Sequence, residues 1–213
     1  ILLPVITYFY GVEVAVPVST VAQLLSNLSR VVIGWKEISW KAVGWFLLLA
    51  LPFTALGAFG FAKVPKAPMT VVLCFFLIVF AIMKLMGKMK LPHGPSTMIV
   101  GGGVTGFVNG LLGISGPLSS AVFLSIELAP VSYIASEATA AAAMHIVKAL
   151  VYGKLNLMHV NIFLSGIGIG CAMMIGNFIA MRCIRNVNKK LYQKIVAGIM
   201  IAVSLWLIIS TVW

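Results

Sequence analysis

Apolar residues run in continuous blocks of helix length, separated by short turns that carry proline, glycine or lysine. The blocks predict an apolar segment at 1–16 that Pro17 ends, and a helix at 18–33. Spans follow at 42–62, 69–86, 159–181 and 191–212, with a further helix at 134–152. Loops and turns are expected at 34–41, 63–68, 87–96, 129–133, 153–157 and 182–190. Trp35 and Trp40 in the first loop suit a membrane–water interface. Within two helices the polar residues are periodic. Thr20, Gln23, Asn27 and Arg30 are spaced 3, 4 and 3 apart, and Glu137, Ala141, His145 and Lys148 are spaced 4, 4 and 3 apart. Such intervals place each set on one helix face.

The stretch from Leu91 to Ile126 breaks the pattern. It holds 36 residues without Lys, Arg, Asp or Glu. As one helix it would extend roughly 54 Å, against a hydrocarbon core of about 30 Å. Glycines stand at 101, 102, 103, 106, 110, 113 and 116, and Pro117 follows the last. Proline suits the first turn of a new helix, so a break is expected at Gly113–Pro117. The segment either crosses once as a broken span or folds back as a re-entrant hairpin. Gly102, Gly106 and Gly110 also fit close packing of helices.

Composition sharpens the class. Hydrophobic residues make up 62% of the chain and charged residues 9%, with a mean hydropathy of +1.12. Soluble domains carry about 25% charged residues. An all-α polytopic membrane protein is expected, set in a lipid bilayer. The net charge of +11 reads as basic cytoplasmic loops rather than nucleic-acid binding. Cys74, Cys171 and Cys183 lack metal or redox spacing, Asp is absent, and no P-loop, H-E-x-x-H or G-x-S-x-G pattern occurs. No cofactor, no metal and no enzymatic activity are therefore expected.

An offset of about 119 residues pairs Thr20 with Thr139, Ala22 with Ala141, Gly34 with Gly153, Gly57 with Gly176 and Lys63 with Arg182. Residues 1–86 and 87–213 thus read as two membrane repeats, the first lacking a glycine-rich opening that is expected to precede Ile1. If residues 101–128 cross once, loop cations divide six against seven. If they fold back, Lys36, Lys41, Lys84, Lys88, Lys90, Arg182, Arg185, Lys189, Lys190 and Lys194 share one side, and Lys63, Lys66 and Lys154 the other. The second arrangement obeys the positive-inside rule. It makes two inverted repeats, each a broken or re-entrant hairpin plus three transmembrane helices, with basic loops in the cytoplasm of a plasma or inner-membrane protein.

The run GGGVTGFVNGLLGISGP, followed by an apolar segment, a turn and a helix, resembles the TauE/SafE sulfite-exporter family. Gly102, Gly106, Gly110, Gly113 and Gly116 occupy its glycine positions, while Ser115 and Pro117 stand where further glycines are common. The resemblance implies a secondary transporter of a small sulfur or organic anion, with proton coupling open. An anion channel and a structural membrane subunit are the alternatives, and a homo-oligomer is left open.

Half-helix N-termini recognise anions. The expected substrate residues are therefore Gly113, Ser115, Gly116, Pro117, Ser119, Ser120 and Asn109 at the break. Thr20, Gln23 and Asn27 join them from the first stripe. Ionisable residues inside spans are functional candidates, so Glu137, His145, Lys148 and Arg30 are assigned to proton coupling or charge pairing. Competing roles are a helix-dipole contact for Glu137 and snorkelling for Lys148.

Overall fold

The computed structural model describes residues 2–85 and 92–183, together with 198, 201–202, 205–206 and 209. The expected loop lysines Lys88 and Lys90, the 184–190 part of the last basic loop and most of the final span lie outside the described residues. The described chain is helical: α1 (Leu2–Ile33), a 3-10 turn at Trp35–Glu37, α2 (Trp40–Lys63), α3 (Lys66–Leu85), α4 (Pro95–Leu112), α5 (Gly116–Leu124), α6 (Pro130–Lys154) and α7 (Val160–Cys183). Among the described residues, four helices are long and apolar enough to cross a bilayer: Leu2–Ile33, Trp40–Lys63, Pro130–Lys154 and Val160–Phe178. Shifting Trp40–Lys63 by the 119-residue offset gives 159–182, within one residue of α7.

Pro17 does not end the first segment. The helix runs through it, and the interruption falls at Gly11, with φ 75° and ψ 163°. Only glycine adopts that combination without large strain. Around Pro17, residues 15–22 are all buried, so packing holds the helix on both sides of the carbonyl that proline leaves unpaired.

α2 and α4 meet backbone to backbone. A Cβ placed on Gly102, Gly106 or Gly110 would overlap the carbonyl oxygen of Phe46, Ala50 or Thr54, respectively. Gly57 returns the contact against the Phe107 carbonyl. Each series advances four residues at a time, so the glycine stripe of α4 follows one turn-by-turn row of α2. α7 lies on α1, with Gly166 against Val21, Gly170 against Leu25, and Asn177 Nδ2 donating to Ser26 Oγ at 3.0 Å. α6 closes on the connection between α1 and α2, where Gly34 meets Ala135 and the Ser39 N–H donates to Ser136 Oγ at 2.8 Å.

Two apolar clusters share α6. Phe46, Phe123, Met98, Ala138 and Met144 gather in one; Phe61, Leu112, Val16, Val151 and Tyr152 gather in the other. His145 and Lys148 fall between these two sets along the helix.

Candidate functional site

α4 stops where the sequence places a glycine that can cap it. Gly113 takes the left-handed conformation, φ 76°, and its N–H donates to the Asn109 carbonyl at 2.9 Å. Three residues later α5 begins at Gly116, with Ser115 as N-cap and Pro117 in the first turn. Gly101, early in α4, lies against Val122, late in α5. The chain therefore doubles back, and Gly113–Ser115 is the tip of a helical hairpin. Lys148 Nζ and the Tyr152 hydroxyl, both from α6, reach the last carbonyls of α4, at Asn109 (3.4 Å) and Gly110 (3.0 Å).

The hairpin tip forms one wall of a cavity of about 350 Å³, a volume in the range of ligand sites. Gly113–Pro117 and Ser120 contribute that wall. Gln23, Ser26, Asn27 and Arg30 of α1 form the second, and Glu137 and Ala141 of α6 the third. Leu2–Pro4 and Met173 complete it.

Charge in the cavity is organised by one pair. Arg30 Nη1 lies 3.8 Å from Glu137 Oε2, close enough to attract but too long for a direct hydrogen bond. Arg30 Nη2 donates to Asn27 Oδ1 at 2.5 Å, and Nε to the Ser26 carbonyl at 3.4 Å. The guanidinium is thus aimed by its own helix. Glu137 Oε1 accepts from Ser119 Oγ at 2.5 Å. That hydroxyl also lies 3.0 Å from the Ser115 carbonyl, and its single proton serves one acceptor at a time.

The first turn of α5 adds backbone donors. The Ser119 N–H is already committed to the Ser115 carbonyl, 2.9 Å away, and Pro117 has none. The N–H groups left without intrahelical partners are those of Gly116 and Leu118.

A profile of the sulfite exporter TauE/SafE family matches residues 1–207. The chain belongs to this family. Neither a curated protein nor a solved structure matches it. As a TauE/SafE member it is an integral membrane protein of the sulfite-exporter transporter class.

In this TauE/SafE chain, Gln23, Asn27, Arg30, Gly113, Ser115, Gly116, Pro117, Ser120 and Glu137 all line the cavity. Ser119 stands behind it and holds Glu137. Thr20 is turned away, its hydroxyl donating to the Val16 carbonyl at 2.8 Å. Asn109, His145 and Lys148 are fully buried and do not line the cavity. Lys148 does not snorkel: its amine ends against Asn109 inside the bundle. Nor does Glu137 serve the helix dipole, since it lies beyond the first turn of α6. Ser26 was missed although it sits three residues after Gln23 on the same stripe. Met173 and the Leu2–Pro4 segment gave no sequence signal, because apolar residues in apolar helices carry no mark of a wall.

Proposed function

We propose that this cavity binds a small sulfur oxyanion, of the sulfite, thiosulfate or sulfonate class, and that the protein carries it across the membrane as a secondary transporter. The observation that supports this is the convergence of Arg30 with the open N-terminus of α5 across a cavity of ligand size. Arg30 offers a planar set of donors that matches an oxyanion. The N–H groups of Gly116 and Leu118 sit at the positive end of α5. Gln23, Asn27, Ser115 and Ser120 add neutral partners that fix orientation without adding charge.

Glu137 is the coupling residue in this reading. While ionised it competes with the anion for Arg30. A proton on Glu137 neutralises the competitor, and Arg30 turns its charge to the substrate. Ser119 can follow the change, because its hydroxyl can donate to the carboxylate or, when Glu137 carries the proton, donate to the Ser115 carbonyl and accept from Glu137. Anion and proton therefore bind together. The two halves are related by inversion in this proposal, and the basic loops face the cytoplasm.

The test uses the full-length protein in proteoliposomes, with labelled sulfite, thiosulfate and a simple sulfonate, each with and without an imposed pH gradient. Saturable uptake of one anion, accelerated by the gradient, is expected. Flux proportional to concentration without saturation would indicate a channel. Absence of uptake of all three, in vesicles shown to hold folded protein, would refute the transport reading.

A further inference from the structure

Beyond Ala141, the face of α6 that lines the cavity continues into the protein. His145 lies four residues further on that face and Lys148 three more. Both are 0% exposed. Lys148 Nζ lies 3.2 Å from Asn109 Oδ1 and 3.4 Å from the Asn109 carbonyl. No carboxylate offsets it. Glu13, Glu37 and Glu127 are exposed, and Glu137 is engaged with Arg30. Among the described residues, four further buried polar atoms here lack a hydrogen-bond partner: Asn109 Nδ2, Thr105 Oγ1, His145 Nδ1 and His145 Nε2. Thr105 precedes Asn109 by one turn of α4, so the two share a face.

Capping explains part of this arrangement. A lysine near the C-terminus of α4 meets the helix dipole favourably. Capping does not explain the unpaired amide and imidazole, nor an ammonium in the interior without a counter-charge. Buried polar groups are nearly always paired, and an isolated buried charge is among the costliest features a fold can carry. The unfilled capacity is dominated by donors: an ammonium, an amide NH2, a hydroxyl and a ring N–H. The complementary ligand accepts from most of these groups and carries negative charge, as an oxyanion does, with the second imidazole nitrogen remaining an acceptor.

We propose that Lys148, Asn109, His145 and Thr105 form an inner oxyanion station, which the anion enters from the cavity past the methyl group of Ala141. This rests on the transport reading above. The ion pair of Arg30 and Glu137 governs entry, and Lys148 supplies the charge that draws the anion onward.

Two variants of the full-length protein test the station, Lys148→Met and Asn109→Asp. The first removes the charge at nearly constant shape. The second sets a carboxylate beside Lys148, which keeps the amine bound but neutralises it in place of the anion. The probe is labelled sulfite, read as equilibrium binding in detergent and as exchange between the two sides of proteoliposomes. Binding at the cavity is expected to change by less than about twofold, and exchange to fall about 10- to 100-fold in both variants, the range for losing a charged hydrogen-bond partner. Wild-type exchange in Asn109→Asp would reduce Lys148 to a helix cap and overturn the station. Wild-type exchange in Lys148→Met would overturn it equally. Loss of binding together with exchange would merge the two sites and also overturn it. Wild-type protein that neither binds nor exchanges sulfite, thiosulfate or a sulfonate would instead refute the transport reading, and the station with it.

Discussion

Gly106→Ala tests the packing that carries the hairpin. A Cβ at this position overlaps the Ala50 carbonyl oxygen and lies 2.9 Å from both the carbonyl carbon and the Cα of Ala50. Carbon atoms prefer about 3.5–4.0 Å, so α2 and α4 must part by close to 1 Å. No rotamer change relieves the clash, because every atom met is backbone. Overpacking costs about 1–3 kcal/mol, and an obstacle of backbone puts this site at the upper end. Alanine returns up to about 1 kcal/mol through its better helix propensity. A net loss of about 2 kcal/mol follows, or a Tm fall of about 4–8 °C at about 2–4 °C per kcal/mol. Gly168→Ala on α7 is the control, since nothing lies within 4 Å of its added Cβ. It gains propensity alone and is expected to hold or raise Tm. Thermal unfolding of both variants in detergent, followed by circular dichroism, checks the difference. A Gly106→Ala protein as stable as Gly168→Ala would refute the close approach.

Arg30→Lys keeps the charge but loses the planar donor set that Asn27 and Ser26 orient; anion affinity measured by scintillation proximity is expected to weaken about 10- to 100-fold. Glu137→Gln preserves the Ser119 hydrogen bond and removes the titrating carboxylate. Its anion binding is expected to persist while uptake stops responding to an imposed pH gradient, and a retained response would place coupling elsewhere. Ser115→Val removes a hydroxyl and adds bulk at the hairpin tip, so binding is expected to be lost with Tm changed by only a few degrees. Tyr152→Phe leaves the Gly110 carbonyl without its 3.0 Å donor and is expected to lower stability by about 0.5–1.5 kcal/mol.

Much of this was legible in the chain because membranes limit the choices. A helix-length apolar block can only be a helix, so the spans were readable from length alone. The break at Gly113 was readable because a 36-residue uncharged stretch cannot cross straight. Polar stripes revealed Gln23, Asn27, Arg30 and Glu137, since polarity within an apolar background carries information. The same logic misplaced the first interruption. Pro17 is the stronger breaker by propensity, yet the backbone turns at Gly11, while the burial of residues 15–22 carries the helix through Pro17. Stripe periodicity also failed to separate Glu137 from His145 and Lys148. Periodicity fixes a face but says nothing about depth, and the cavity ends at Ala141. Ser26, beside Asn27, was hidden by its small size rather than by its position.

The glycine row of α4 has a mechanical consequence. Its contacts with α2 are made by carbonyl oxygens repeating every fourth residue, so the two helices engage like a toothed rack. Intermediate positions set a Cα or a bulky side chain against a carbonyl, and sliding would have to occur in steps of four residues, about 6 Å. Small thermal shifts find no foothold there. α2 and α4 then act as a fixed rail that holds the hairpin tip at constant depth. If the cavity opens and closes as the transport proposal requires, the movement falls to α1 and α6, which meet across the cavity through side chains such as Arg30 and Glu137.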